Sequence, residues 1–340
     1  MNSQPATTTI GYIGNDVPVA LILAAGALPM RLRGDARLST DRANQFVESA
    51  FSAELRAIVE QWLAGGLDFL HSVVFPRTDD SAQRVYYYLC ELQRRGVCAG
   101  PRPLLYDVAD IGRPSSAAYT RESTRRLARE LGTRDADLAQ ALQRVAQRES
   151  LLAEVRSRRA GEAPIAGSLA FGVERASARD WRGEFDTTTR QWLSTAPGLS
   201  GARRILLAGD SPPDNSLHLA IEEARGTVVI ELTESIPDLA VQPAQIDAIA
   251  DHFHSRRNPV REMRANPHWV AERVRHAKAD AVVFWLVEED EALPWEITRQ
   301  ATSLQAVGIP TLSLSRQSWR PSEHALRQVK EFVGNLGVHR

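Results

Sequence analysis

The chain has 340 residues, 43% of them hydrophobic and 24% charged, a length that suits about two globular domains of ~100–200 residues each. Arginine and lysine total 41 against 42 aspartate and glutamate, a formal net charge of -1, so the chain lacks the positive field that carries non-specific nucleic-acid or acidic-membrane binding. The only cysteines, Cys90 and Cys98, are too few for a structural zinc site or an iron–sulfur cluster, and they disfavour a disulfide-framed secreted fold.

Residues 1–9 have neither the basic flank nor the apolar stretch of a signal peptide, and a reducing, cytoplasmic compartment is expected. The apolar run 17–30 is interrupted by Gly26 and Pro29 and is shorter than the ~20 residues of a bilayer span, so no membrane segment is predicted. Strands are predicted at 9–13, 73–75 and 104–108, with helices between them. Over 135–159, Leu138, Leu142, Val145, Leu152 and Val155 recur at helical spacing. At 1.5 Å per residue that helix is ~37 Å long, a length suited to bridging domains. Its basic end, Arg156, Arg158 and Arg159, runs into Gly161 and Pro164. Further strands are expected at 204–208, 227–231, 281–286 and 311–314. Asp214 is expected to cap a helix striped by Leu217, Ala220, Ile221 and Ala224, which ends at Gly226 in a left-handed turn.

Strands alternating with helices define an α/β class with two doubly wound (flavodoxin/Rossmann-like) parallel-sheet domains and connecting helices. The expected organisation is an N-terminal α/β domain with the bridging helix (1–160), a helical connector (161–200) and a C-terminal α/β domain (201–340). The two halves echo each other. Val73-Val74-Phe75 is followed by Asp79-Asp80, a helix to Gly96 and a strand; Val282-Val283-Phe284 is followed by Glu288-Glu289, a helix to Gly308 and a strand. Ligands of doubly wound sheets gather at the carboxyl ends of the strands, so each acidic pair is expected at the ligand edge of its half, and two facing edges would form a cleft.

The simplest role for Asp79 and Asp80 is a helix cap, and for Glu288, Glu289, Asp290 and Glu291 a solvated helix start. The chemical alternative is a general base or a hard-metal ligand. His252 and His254, with Arg256 and Arg257, could grip a metal or a phosphate, but no third ligand stands at a recognisable spacing, and a surface or interface role is expected. Cys90 and Cys98 read as unreactive filler. Lysine occurs only at Lys278 and Lys330, and the arginine excess reads as coding bias. Phosphate-binding, dinucleotide-binding and nucleophile-elbow motifs are missing from the sequence.

The segment Ile10-Gly11-Tyr12-Ile13-Gly14, then Val17-Pro18, then Ala24-Ala25-Gly26-Ala27-Leu28-Pro29 with Arg31-Leu32, resembles the opening of the 2-hydroxyacyl-CoA dehydratase and benzoyl-CoA reductase subunits. Gly66-Leu67-Asp68-Phe69-Leu70, Arg126-Leu127-Ala128 through Leu131-Gly132, Gly209 through Asp214 with Leu217 and Ile221-Glu222-Glu223, and Pro294 with Gly308-Ile309-Pro310-Thr311-Leu312 keep that family's order over roughly residues 10–335. The resemblance implies a heterodimer of related subunits, each holding a [4Fe-4S] cluster through three cysteines, an acyl-CoA thioester in a cleft, and an ATP-driven electron activator. It puts the three cluster positions at Phe51, at Asp79 and at Leu286, and none of them is a cysteine here.

The expectation is therefore a cluster-free subunit, with no cofactor of its own, paired with a homologous cysteine-bearing subunit that would carry the [4Fe-4S] cluster. Asp79, Asp80, Glu288 and Glu289 would be the catalytic carboxylates, and Gly26, Pro29 and Arg31 would contact the substrate. Two alternatives stay open: a stand-alone non-redox acyl-CoA enzyme performing hydration, elimination or hydrolysis, and a non-catalytic scaffold.

Overall fold

A computed structural model describes residues 8–109, 111–233, 243–256 and 259–337. In chain order the first half runs β1 (Thr9–Tyr12), α1 (Val19–Ala24), β2 (Leu28–Arg31), α2 (Ala53–Leu63), β3 (Ser72–Pro76), α3 (Asp80–Arg94), β4 (Arg102–Tyr106), α4 (Pro114–Leu131) and α5 (Asp135–Ala160). It continues through α6 (Gly167–Ser177), α7 (Glu184–Thr195), β5 (Arg203–Gly209), α8 (Ser216–Glu223), β6 (Gly226–Leu232), α9 (Ile246–Ser255) and α10 (Pro259–Ala265). The last elements are α11 (Trp269–Ala277), β7 (Ala281–Val287), α12 (Leu293–Ala306), β8 (Thr311–Gln317) and α13 (Glu323–Asn335). Among the described residues no helix is long and apolar enough to cross a membrane.

The described strands form two four-stranded parallel sheets, ordered β2-β1-β3-β4 and β6-β5-β7-β8. The internal echo in the sequence is thus a repeated topology, and the α/β class with two parallel sheets is what the alternating pattern predicts. The chain divides into two compact units, with divisions at Ser150/Leu151, Arg175/Ala176 and Asp186/Thr187 that fall inside α5, α6 and α7. The first unit holds β1–β4 and α1–α4, the second β5–β8, α8 and α10–α13. Residues 161–200, expected as a connector, are shared between the two units, and α9, encoded after β6, belongs to the first. There α9 lies on α4, with Arg121 bidentate to Asp251 at 2.8 Å and Arg125 paired with Asp247. No periodicity in the sequence marks that pairing.

Side chains alternate across each central strand, so a strand covered on both faces must be apolar throughout. All seven residues of β7 are buried. Val282, Phe284 and Leu286 pack with Val270, Ile297 and Leu304 on one face; Ala281, Val283 and Trp285 meet Leu217, Ile221 and Val329 on the other. In the first sheet Val74 joins Ile10, Tyr106 and Leu127, while Val73 and Phe75 face Phe51, Ile58 and Trp62. Each such side chain contributes roughly 1.5–3 kcal/mol by leaving water.

Three local expectations are corrected. Strand β2 was not predicted, because residues 17–30 lack alternation and contain a proline; Pro29 is tolerated on this edge strand, opposite Ile10, where a missing N–H costs no ladder bond. The helix before β6 is α8, whose N-cap position is Asn215 with no side-chain cap bond, while Asp214 accepts the Ser216 N–H at 2.9 Å in a preceding turn. The left-handed residue there is Arg225, at φ 62°; Gly226 already starts β6, where a Cβ would press on Ile221 and Val333 at 2.9 Å. Helix α12 begins at Leu293 with Ala292 at its N-cap, and Asp290 Oδ1, just before it, accepts the Ala292 and Leu293 N–H groups at 2.9 and 2.8 Å. Glu288 and Glu289 therefore precede the helix in the turn after β7 instead of starting it.

Candidate functional site

In both sheets the strand order reverses beside the first strand of the unit, between β1 and β3 and between β5 and β7, and the carboxyl ends at such a crossover are where ligands of doubly wound sheets bind. In the first unit this edge is rich in compensated charges. Asp16, just past β1, accepts the Thr78 hydroxyl at 2.7 Å and lies 3.4 Å from Arg256, which also donates to the Asn15 carbonyl at 2.7 Å. Arg31, buried at the end of β2, donates to Asn15 Oδ1 at 2.6 Å. Buried Asp107, past β4, accepts Arg77 at 2.7 Å and the Tyr119 hydroxyl at 2.5 Å on one oxygen, and that bond holds the phenol above its usual range.

Asp79 is the N-cap of α3, accepting the Ala82 N–H at 3.0 Å, and Asp80 stands in the first turn of that helix. Although Asp79 is open to solvent by area, desolvation by the surrounding protein pushes its carboxyl up, against the lowering pull of the Ala82 and Ser81 amides. Of the proposed substrate contacts, Arg31 reaches this carboxyl edge. Gly26 lies at the other end of the sheet, in the turn between α1 and β2, where its φ of +77° is one that glycine adopts without strain. Pro29 lies within the edge strand.

The second unit presents a different edge. Gly209 ends β5 with φ +113°, and a Cβ there would lie 2.1 Å from the Trp285 carbonyl, so only glycine lets β5 and β7 approach this closely. The next residue, Asp210, donates its own N–H to the Trp285 carbonyl at 2.8 Å and accepts the Val287 N–H on Oδ2 at 2.8 Å. Burial, with Asp290 and Glu289 nearby, pushes its carboxyl up to about 7. The loop after it is clamped from α6: Arg175 donates to the carbonyls of Pro213 and Pro212 and stacks on Phe171. Phe171 in turn stacks on His218, which is fully buried, with Nε2 3.1 Å from Glu231. His218, Arg159 and the Thr233 hydroxyl hold the Glu231 carboxyl below its usual range, against the cost of burial. Sequence reasoning missed Asp210 and the His218–Glu231 pair. The available signal was a Gly-Asp step directly after the buried run 205–208.

The residues at the three implied cluster positions do not fit an iron–sulfur centre. Phe51 is fully buried between Ile58, Trp62 and Leu89, its ring edge-on to Tyr88 and 4.3 Å from the Arg84 guanidinium, and it has no atom to offer iron. Leu286 is a buried core residue of β7 in the second unit, and the Asp79 carboxylate is engaged as a cap. Cys90 and Cys98 are half-buried thiols that burial pushes up, the opposite of a metal-binding thiolate. Among the described residues no group of three or more His, Cys, Asp or Glu could hold a metal ion. His254 gives no such site: its Nδ1 lies 2.8 Å from the Ala109 carbonyl, and the His252 ring packs against Phe253. Arg257 lies outside the described residues.

The family model of the 2-hydroxyglutaryl-CoA dehydratase D-component matches residues 15–336. The chain belongs to this family. A comparison with curated proteins returned no match. Within the dehydratase D-component family, this member has a repeated parallel-sheet architecture.

Proposed function

We propose that this chain is a cluster-free component of a dehydratase-type acyl-CoA complex, working beside a homologous subunit that carries the three cysteines and the [4Fe-4S] cluster. In that arrangement it contributes substrate orientation, and an ATP-dependent activator delivers electrons to the partner. The observation that supports the reading is that Phe51 and Leu286, at two of the positions where the resemblance implies cluster ligands, are core side chains, each with at most 1% of its surface exposed. A soft thiolate site cannot be rebuilt there from a ring, an alkyl chain and a carboxylate. Anaerobic reconstitution of the purified chain with iron and sulfide is expected to give no stoichiometric cluster absorbance, and co-expression with a cysteine-bearing homologue is expected to give a one-to-one complex. A full [4Fe-4S] spectrum from this chain alone overturns the reading.

The second reading, a non-redox acyl-CoA enzyme, is favoured by one observation: desolvation pushes the Asp79 carboxyl up, the direction that suits a general acid or base. Acyl-CoA turnover in air by the purified chain, without activator, would select it.

A further inference from the structure

We propose that Asp210 is the ligand-binding carboxyl of a site at the carboxyl edge of the second sheet, hydrogen-bonding the carbonyl oxygen of an acyl thioester. The acyl class rests on the reading above; the site rests on the geometry of the second unit. Three features place it. Asp210 stands at the crossover between β5 and β7, the ligand position of doubly wound sheets. The close approach at Gly209 and the hydrogen bonds to Trp285 and Val287 fix the direction of residue 210. Among the described residues only Oδ2 is engaged, and Asp210 is partly exposed.

Burial first, and the surrounding charges after it, set which form of the carboxyl a ligand meets. From the turn after β7, Glu289 and Asp290 face Asp210 with like charge. From α6, the Arg175 guanidinium is directed onto the Pro212 and Pro213 carbonyls and Ser211 Oγ. Asp214, on the same loop, accepts the Ser216 N–H. With half-burial added, the carboxyl keeps its proton to about pH 7. A protonated carboxyl is a donor through one oxygen, so it suits an uncharged acceptor such as a thioester carbonyl and repels anions once ionised.

The test is calorimetric binding of acetyl-CoA to the full chain between about pH 5.5 and 8.5, with free CoA as the control that shares every group except the acyl carbonyl. The expected result is an acetyl-CoA affinity that falls about tenfold or more across neutrality in the wild type, with free CoA showing no such fall. D210N, which keeps an N–H donor and cannot ionise, is expected to bind acetyl-CoA with a flat profile. The carboxyl ¹³C shift of Asp210 in the wild type, read against D210N, reports protonation independently of any ligand. An identical pH slope in D210N, no acetyl-CoA binding by either protein, or an ionised Asp210 at pH 5.5 would each overturn the proposal. Cluster reconstitution and complex formation, which test the broader reading, depend on none of these measurements.

Discussion

The two sheets share one strand order and part company at their carboxyl edges. Asp16, beyond β1, is met by the Thr78 hydroxyl and by Arg256; Asp210, beyond β5, is met by one backbone N–H and by like charges. Topology therefore delivers a carboxyl to the same place twice, and the neighbouring side chains decide what it does there. Asp16 is tied by a hydroxyl and a guanidinium, whereas burial, with Asp290 and Glu289 nearby, pushes the Asp210 carboxyl up.

The largest expected effects probe the cores under the two edges. Phe51→Ala should cost about 3–5 kcal/mol and Leu286→Ala about 2–5 kcal/mol, because each leaves a cavity in a packed cluster. Urea unfolding with hydrogen exchange reads both. Lost protection should centre on α2 and α3 in the first variant and on β7, α11 and α12 in the second. A loss under about 1 kcal/mol at either position would mean that the side chain lines an adaptable pocket instead of filling a packed core.

The next effect separates the edges by pH. Native Asp210 keeps its proton to about 7, whereas the unfolded chain releases it near 3.8. Between those values the unfolded state binds fewer protons than the native state, so this group's contribution to stability is greatest below pH 4, falls as the pH rises and levels off above 7. The contribution lost across that window is on the order of a few kcal/mol. D210N keeps an oxygen for the Val287 N–H and should abolish this part of the slope, so the difference between variant and wild type in urea unfolding should grow in favour of the variant from pH 4 to pH 7. A constant difference would place Asp210 among the ordinary carboxylates.

Much of this architecture could be read from the sequence, because central parallel strands are apolar on both faces and their runs stand out; 73–75, 204–208 and 281–286 all fall inside observed strands. The repeated acidic pairs also pointed to a repeated sheet. What the sequence hid depends on distant partners. Pro29 reads as a strand breaker unless β2 is known to be an edge, and α9 reads as a local helix until Asp247 and Asp251 are seen to face Arg125 and Arg121. Asp210 was hidden for the same reason: its character comes from burial in the folded chain and from Asp290 and Glu289, about eighty residues further along. Asp79 stood out because a cap is local.

That local role sets a smaller effect. Asp79→Ala should cost about 1 kcal/mol through the lost Ala82 N–H partner, and Asp79→Ser should restore most of it. If Ser fails to rescue stability, the carboxyl does something beyond capping, and the second functional reading gains. Measured beside D210N, the pair shows whether each edge owes its acid to helix geometry or to a ligand.

The smallest effect concerns the helix that the first unit draws from late in the chain. The Arg125–Asp247 and Arg121–Asp251 pairs are bidentate but lie at the surface, where solvent and salt screen them. Arg125→Ala should lower the unfolding midpoint slightly at low salt and leave it unchanged at about 0.5 M salt. What seats α9 is instead its apolar face, Ile249 in the core and Phe253 edge-on to Tyr106. Phe253→Ala should therefore release α9 protection at both salt concentrations, while Arg125→Ala should not. Equal losses from the two variants at high salt would mean that the ion pairs, and not the buried ring, hold this segment on the first unit.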